Sequence, residues 1–267
     1  MVSQAYDRIA DSYDEDWCGL YAESSRRAVA QIVAVLTDAA DLHVADLAVG
    51  TGNTLDSLYH RLSLGTAAGF DVSTGMLGKA WEKLPRRAQL IHDSAANAGD
   101  YLTPASLDLV LCHFLLRYLE PQVVLPTAYA LLKPGGHFSL VTTTQRSLME
   151  TYTGRFAKTE PLLGVRRQLA KGGNPLDHAQ GMEMLERYGF EIVADHLYRE
   201  VVTFRSFDDV RAWACESGWA VEIVDGRMSV RFAFLRVAFA LAEIFMRPLY
   251  PVDATNEISI VLARKPC

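Results

Sequence analysis

VADLAVGTGNTLDSL, residues 44–58, decides how the rest of the chain is read. An apolar run from Val44 to Val49 carries one acid, Asp46, and leads into glycines at 50 and 52. Beyond them Leu55, Leu58, Tyr59 and Leu62 recur at the spacing of one helical face. The stretch therefore reads as strand, glycine turn and helix. Glycine adopts backbone angles closed to other residues and lets a ligand come close, and the helix N-terminus beyond it offers free N–H groups to an anion. A dinucleotide-binding fingerprint would want a third glycine where this chain has Leu55, which places a nicotinamide-dependent dehydrogenase below other nucleoside-binding readings.

Outward from that turn, helical and strand periodicities alternate over residues 24–144, the pattern of an α/β domain with a parallel sheet. A helix capped by Ser24 or Ser25 presents Val29, Ile32, Val33 and Leu36 on one face. TAAGFDV, residues 66–72, forms the second strand and carries Asp71 near its end, where a carboxylate can accept both hydroxyls of a ribose. AQLIH, LDLVLCHF and HFSLVTTT supply three more strands, and a helix over about 122–132 ends in the breaker KPGG. A helix over about 176–187 and the strands FEIVADHL and NEISIVLAR resume the rhythm. The implied organisation is an N-terminal lid helix at 1–23, a core at 24–144, a lid or insert at 145–175, a core helix and strand at 176–197, a helical cap insert at 198–250 and a last core strand at 251–267.

Composition narrows the function classes. The 267 residues include 26 Lys and Arg against 32 Asp and Glu, a net charge of -6 that gives no basic footprint for nucleic acid. Cys18, Cys112, Cys215 and Cys267 lie far apart, with neither metal-site nor disulfide-framework spacing, so no metal is expected. The first residues carry acids where a secretory signal is cationic and then apolar. The most apolar helix candidate, residues 229–246, is interrupted by Arg231, Arg236 and Glu243 and does not read as a membrane span. The expectation is a cytoplasmic enzyme, monomer or homodimer, that acts on a small molecule and has neither membrane nor nucleic-acid partner.

The motifs, in order, resemble the class I S-adenosylmethionine-dependent methyltransferases, particularly their small-molecule branch, from Tyr6 to about Thr144 and more weakly beyond. The resemblance implies a doubly wound, mostly parallel, seven-stranded Rossmann-like sheet with helices on both faces and a helical cap. It also implies S-adenosyl-L-methionine as cofactor. DLAVGTG matches the acid and glycine-rich turn of that family through Asp46, Gly50 and Gly52, with Asn53 following; the usual first glycine is Ala48 and the next small residue is Val49. GFDVSTGML resembles the signature in which Asp71 would hold ribose while Val72 and Met76 sandwich adenine. IHDSA places Asp93 and Ser94 where the family contacts the adenine amine and ring edge. LDLVLCHFLLRYLEP would put Cys112, His113 and Phe114 beside the sulfonium, and the YDRIADSYDEDW segment resembles a lid, with Tyr6, Tyr13, Trp17 and Tyr21 as its aromatics.

The chemistry then assigns roles. The glycine turn suits the carboxylate of the methionine arm, Asp46 suits its ammonium, and the faces of Tyr13 and Phe114 suit the sulfonium by cation–π attraction. Trp17, Tyr21, Arg117 and Tyr118 are candidates for contact with substrate. Methyl transfer needs collinear alignment more than a nucleophile on the protein. An oxygen acceptor would use a base, for which His113 at the carboxyl end of a strand and Tyr118 beside it are the candidates; His113 as a hydrogen-bonded structural histidine is the alternative. His43 and His137 begin strands at the opposite end, and His178 and His196 lie in the more variable region. Two other functions stay open on the same site: closure of the cofactor's aminobutyrate arm to azetidine-2-carboxylate with release of methylthioadenosine, and cofactor binding without catalysis.

Overall fold

The computed structural model describes residues 2–147, 173–206, 208–209, 212–213 and 250–267. Residues 148–172 of the lid expected at 145–175, the apolar helix at 229–246, Cys215 and most of the expected cap lie outside them. The described elements are α1 (Val2–Ile9), α2 (Leu20–Leu36), β1 (Leu42–Asp46), α3 (Asn53–Tyr59), β2 (Leu64–Asp71), α4 (Thr74–Lys83), β3 (Ala88–His92), α5 (Ala98–Tyr101), β4 (Leu107–His113), α6 (Pro121–Leu131), β5 (Leu132–Thr143), α7 (His178–Arg187), β6 (Glu191–Phe204) and β7 (Val252–Arg264).

The seven strands form one sheet in the order β3-β2-β1-β4-β5-β7-β6. The first five run parallel, and β7 is antiparallel to both of its neighbours. The central strands are covered on both faces, which is why β1 and β4 read as nearly unbroken apolar runs. On one face Val29, Ile32 and Leu36 of α2, Leu55 and Leu58 of α3, and Ala80 of α4 pack against Val44, Leu109 and Leu111. On the other, Ala98 of α5, Val124, Leu125 and Ala128 of α6, and Leu185 of α7 pack against Phe70, Val110, Cys112 and Phe138. This is the doubly wound sheet expected of the sequence.

Several boundaries differ from the periodicity reading. Helix α2 starts at Leu20, not after Ser24 or Ser25. Gly19, at φ +70°, turns the chain into the helix, and the Asp16 carboxylate accepts from the Ala22 N–H at 2.8 Å, the task given to a serine cap. Ser24 is instead buried one turn in and donates to Leu20 O at 2.6 Å, while the Ser25 hydroxyl meets that of Thr54 at 2.9 Å. KPGG is not only a breaker. Strand β5 begins at Leu132, and the register to β4 slips between the pairs Leu107↔Leu132 and Leu109↔His137, with Gly135 at φ +80°. Strand β6 continues past Leu197 to Phe204, paired along its length with a β7 that starts at Val252. In YREVVTF Tyr198, Val202 and Phe204 are buried while Arg199, Glu200 and Val201 are exposed, and the part expected as cap from residue 198 begins in the sheet, on its edge strand.

Candidate functional site

Two adjoining cavities, of about 250 and 330 Å³, open over the carboxyl ends of β1, β2 and β4, where ligands of open α/β sheets bind. They meet at a waist formed by Tyr13, Ala48, Gly50, His113 and Phe114, which line both. The smaller lobe, on the α4 side, is lined by Tyr6, Asp71, Val72, Met76, Asp93, Ser94 and Tyr118. The larger, on the α2 side, is lined by Tyr21, Asp46, Asn53, Arg26 and Arg61 among others.

The floor is set by two carboxylates and the glycine turn between them. Asp71, at the end of β2, accepts the Gly50 N–H at 3.0 Å and the Ser73 N–H at 2.8 Å, so one side chain fixes both the glycine turn and the approach to α4. Ser73 then caps α4 by accepting from the Met76 N–H at 3.1 Å. Burial raises the Asp71 pKa, opposed by those N–H groups. Asp46 ends β1, is buried, and accepts from Ala48 N–H at 3.1 Å; burial pushes its pKa up to about 7, and the nearby charge of Asp71 adds to this. A Cβ built on Gly50, whose φ is +53°, would meet nothing within 4 Å, so the turn leaves open space on the cleft side.

A chain of rings crosses the cleft. Tyr118 and Tyr6 share a hydrogen bond of 2.7 Å between their hydroxyls. Tyr6 meets Tyr13 edge to face at 6.0 Å, Tyr13 stacks on Tyr21 at 5.3 Å, and Tyr21 meets Phe114 edge to face at 4.8 Å. Phe114 has φ +55°, a conformation that costs an L residue free energy and is concentrated at functional positions. The Phe114 N–H donates to Val141 O at 2.7 Å, which holds it there. His113, half-buried, has Nε2 3.0 Å from Ser139 Oγ, and desolvation lowers its pKa to about 3. Such an imidazole is neutral at pH 7 and a weak proton acceptor, which counts against the general-base role given to His113. The Tyr118 hydroxyl, engaged with Tyr6, is not poised as a base either.

Four of the expected site residues line neither lobe. Cys112 points to the opposite face of the sheet and is part of the apolar core there, because side chains alternate along β4. Gly52 precedes α3 at φ +85°, and a Cβ there would lie 3.2 Å from Ala80 Cα and from Leu84 Cδ1. Its missing side chain makes room for α4, not for a ligand. Trp17, 40% exposed, stacks on Phe204 at 5.9 Å. Arg117 is half-buried, and its charge acts on the Tyr21 phenol.

The sequence reading overlooked the acids of the N-terminal segment. Asp7 accepts from Ser73 Oγ at 2.7 Å and from Gly75 N–H at 2.8 Å, holding α1 on the first turn of α4. Asp11 pairs with Lys79 at 2.7 Å. Asp14 accepts from Thr51 Oγ1 at 2.6 Å, from Asn53 Nδ2 at 2.8 Å and from Lys83, and these donors outweigh burial to lower its pKa. Their spacing on one side of the segment was visible in YDRIADSYDED, but not what they would meet.

Residues 45–140, from the end of β1 through β5, match the family model of the methyltransferase domain. Over this part of its length the chain is similar to methyltransferases. It is 31% identical over 121 residues to a trans-aconitate 2-methyltransferase of Delftia acidovorans, covering 43% of each chain. It is 30% identical over 156 residues to a malonyl-[acyl-carrier protein] O-methyltransferase of a Marinomonas species, covering 56% of this chain and 54% of the other. The chain thus spans about half the length of the curated relatives it matches. In fold it is similar to phosphoethanolamine N-methyltransferase 2 of Haemonchus contortus, solved with S-adenosyl-L-methionine, at 18% identity and a TM-score of 0.52, covering 91% of this chain and 53% of that one. Among the described residues no helix is long and apolar enough to cross a membrane.

The cleft has groups suited to S-adenosyl-L-methionine, the ligand of the Haemonchus contortus structure. A buried acid, Asp46, stands beside the glycine turn on the α2 side, where the ammonium of a methionine arm would find a counter-charge. Asp71 keeps lone pairs free for a pair of hydroxyls. Val72 and Met76 supply apolar surface in the smaller lobe, beside the Asp93 carboxylate, which the Tyr101 hydroxyl holds at 2.7 Å and keeps ionised.

Proposed function

We propose that the protein is an S-adenosylmethionine-dependent methyltransferase acting on a small-molecule acceptor. The observation that carries this reading is the placement of Asp71 and Asp46 on either side of an open Gly50, one acid per lobe of a single cleft. Asp71 would accept the ribose hydroxyls, Val72 and Met76 would flank adenine, and Asp93 with Ser94 would meet its edge. Asp46 and Asn53 would bind the methionine arm, while the rings of Tyr13 and Phe114 would face a cation at the waist. When bound, S-adenosylmethionine supplies an electrophilic methyl group on a sulfonium. The protein's part is to exclude water with the tyrosine chain and to align the acceptor. The relatives' names point to acids, trans-aconitate and a malonyl thioester, as the kind of acceptor.

One observation favours a second reading on the same site. Ring closure of the aminobutyrate arm forms a bond from the α-amine to the γ-carbon, breaks the carbon–sulfur bond and releases methylthioadenosine, and it needs the amine without its proton. Asp46, with a pKa of about 7, is a group in the cleft able to take that proton. Mass spectrometry of the protein incubated with S-adenosylmethionine, with and without a panel of small carboxylic acids, separates the readings. Enzyme-dependent S-adenosylhomocysteine with a methylated acid is the expected product. Methylthioadenosine with azetidine-2-carboxylate would replace methyl transfer by cyclisation, and intact cofactor throughout would leave a binding protein.

A further inference from the structure

Ser139 is a hydroxyl in the middle of the sheet. It lies in β5 between Phe138 and Leu140, flanked by β4 and β7, and is wholly buried. Among the described residues the side-chain partner of its hydroxyl is His113 Nε2, at 3.0 Å. That pair fixes where the imidazole carries its proton. Were Nε2 protonated, the ring would donate to Ser139 Oγ, and the serine's own proton would be left in an apolar layer with no acceptor. A stranded buried donor costs more than an unused oxygen lone pair. With Nε2 bare, Ser139 donates to it and no proton is stranded. A neutral imidazole then carries its single proton on Nδ1. Nδ1 has no protein partner among the described residues, and the ring lines both lobes at the waist of the cleft. Desolvation also holds the ring neutral, so it does not exchange this state for an imidazolium at ordinary pH.

We infer that His113, locked by Ser139, is a hydrogen-bond donor that recognises a carboxylate at the waist of the cleft, and that Ser139 is its positioning residue. The inference rests on the function proposed above and narrows it. A ring that presents N–H to the ligand does not deprotonate an acceptor, and among the acids proposed above a carboxylate, already ionised at neutral pH, needs no base. The carboxylate that His113 meets has two sources, the methionine arm of the cofactor and the acceptor.

Nitrogen-15 histidine-labelled protein tests this. Long-range proton–nitrogen spectra at pH 7, with His113 assigned by comparison with His113→Gln, are expected to show His113 protonated on Nδ1. In Ser139→Ala the two tautomers should mix. The labelled protein is then titrated with methylthioadenosine, which has no carboxylate, with S-adenosylhomocysteine, and with malonate added to protein saturated with S-adenosylhomocysteine. The Nδ1–H resonance should move with one of the two carboxylate probes and not with methylthioadenosine. Ser139→Ala should weaken the responding probe by about tenfold and methylthioadenosine by less than about twofold. A response to S-adenosylhomocysteine assigns the contact to the methionine arm, and one to malonate assigns it to the acceptor. A proton on Nε2, or a resonance unmoved by both carboxylates, would overturn the inference. Failure of both nucleosides to bind would overturn the methyltransferase reading instead, and the tautomer result would stand apart from it.

Discussion

Replacing Asp46 by asparagine tests the electrostatics of the cleft. In an unfolded chain an aspartate ionises near pH 3.9, whereas burial holds Asp46 at about 7. Between those values the folded state keeps a proton that the unfolded state has released, so stability falls as pH rises from about 4 to about 7 and is level above that. At about 1.4 kcal/mol for each pH unit separating the two, the ceiling on this loss is about 4 kcal/mol. The substituted asparagine would have no proton to lose. It can still accept from the Ala48 N–H, but its buried amide leaves N–H groups unpaired at a cost of about 1–3 kcal/mol at every pH. Asp46→Asn is therefore expected to be less stable than the parent at pH 4.5 and to gain on it by about 2–4 kcal/mol by pH 8. Urea unfolding at fixed pH intervals, extrapolated linearly to water, measures the difference. A difference constant to within about 0.5 kcal/mol over that range would refute the buried-acid account.

Asp71→Ala should weaken S-adenosylhomocysteine binding by about a hundredfold or more in calorimetry, because it removes the proposed acceptor for two hydroxyls and frees the Gly50 and Ser73 N–H groups; a loss under about threefold would remove Asp71 from the ribose role. Gly50→Ala and Gly52→Ala should separate ligand space from packing. The first, whose Cβ enters open space, should melt within about 1–2 kcal/mol of the parent but bind poorly, whereas the second should lose about 2–3 kcal/mol or more through its left-handed backbone and the Ala80 contact; equal melts would contradict this. Asp7→Ala should cost about 1 kcal/mol as the loss of a cap on α4 and should speed proteolytic cleavage near residue 10; unchanged cleavage would mean that Asp7 does not hold the segment down.

How much of this was legible in the sequence depends on the range of the cause. The strands of the core are read directly from VADLAVG, TAAGFDV and LDLVLCHF because a sheet covered on both faces demands apolar runs. The glycine turn and Asp71 are read from spacing because both ends of the motif lie in one βαβ unit. Local chemistry misleads where a distant group takes over a local task. Ser24 looks like a cap, yet Gly19 and Asp16 start the helix. Gly52 looks like a ligand glycine, yet its constraint comes from Ala80 in the next helix. Cys112 and His113 are neighbours in a signature, but strand alternation sends one to the core and the other to the cleft. The acids at 7, 11 and 14 and the Ser139–His113 pair involve partners far away in sequence, which periodicity does not supply.

The central claim is a nucleoside site with a methionine-arm subsite in one cleft, and calorimetric titration with S-adenosylhomocysteine, with NAD as the competing ligand, tests it most directly. The account predicts saturable binding of S-adenosylhomocysteine to one site per chain and far weaker or no binding of NAD. A cooperatively melting protein that gives no heat with S-adenosylhomocysteine, or that binds NAD more tightly, would contradict it.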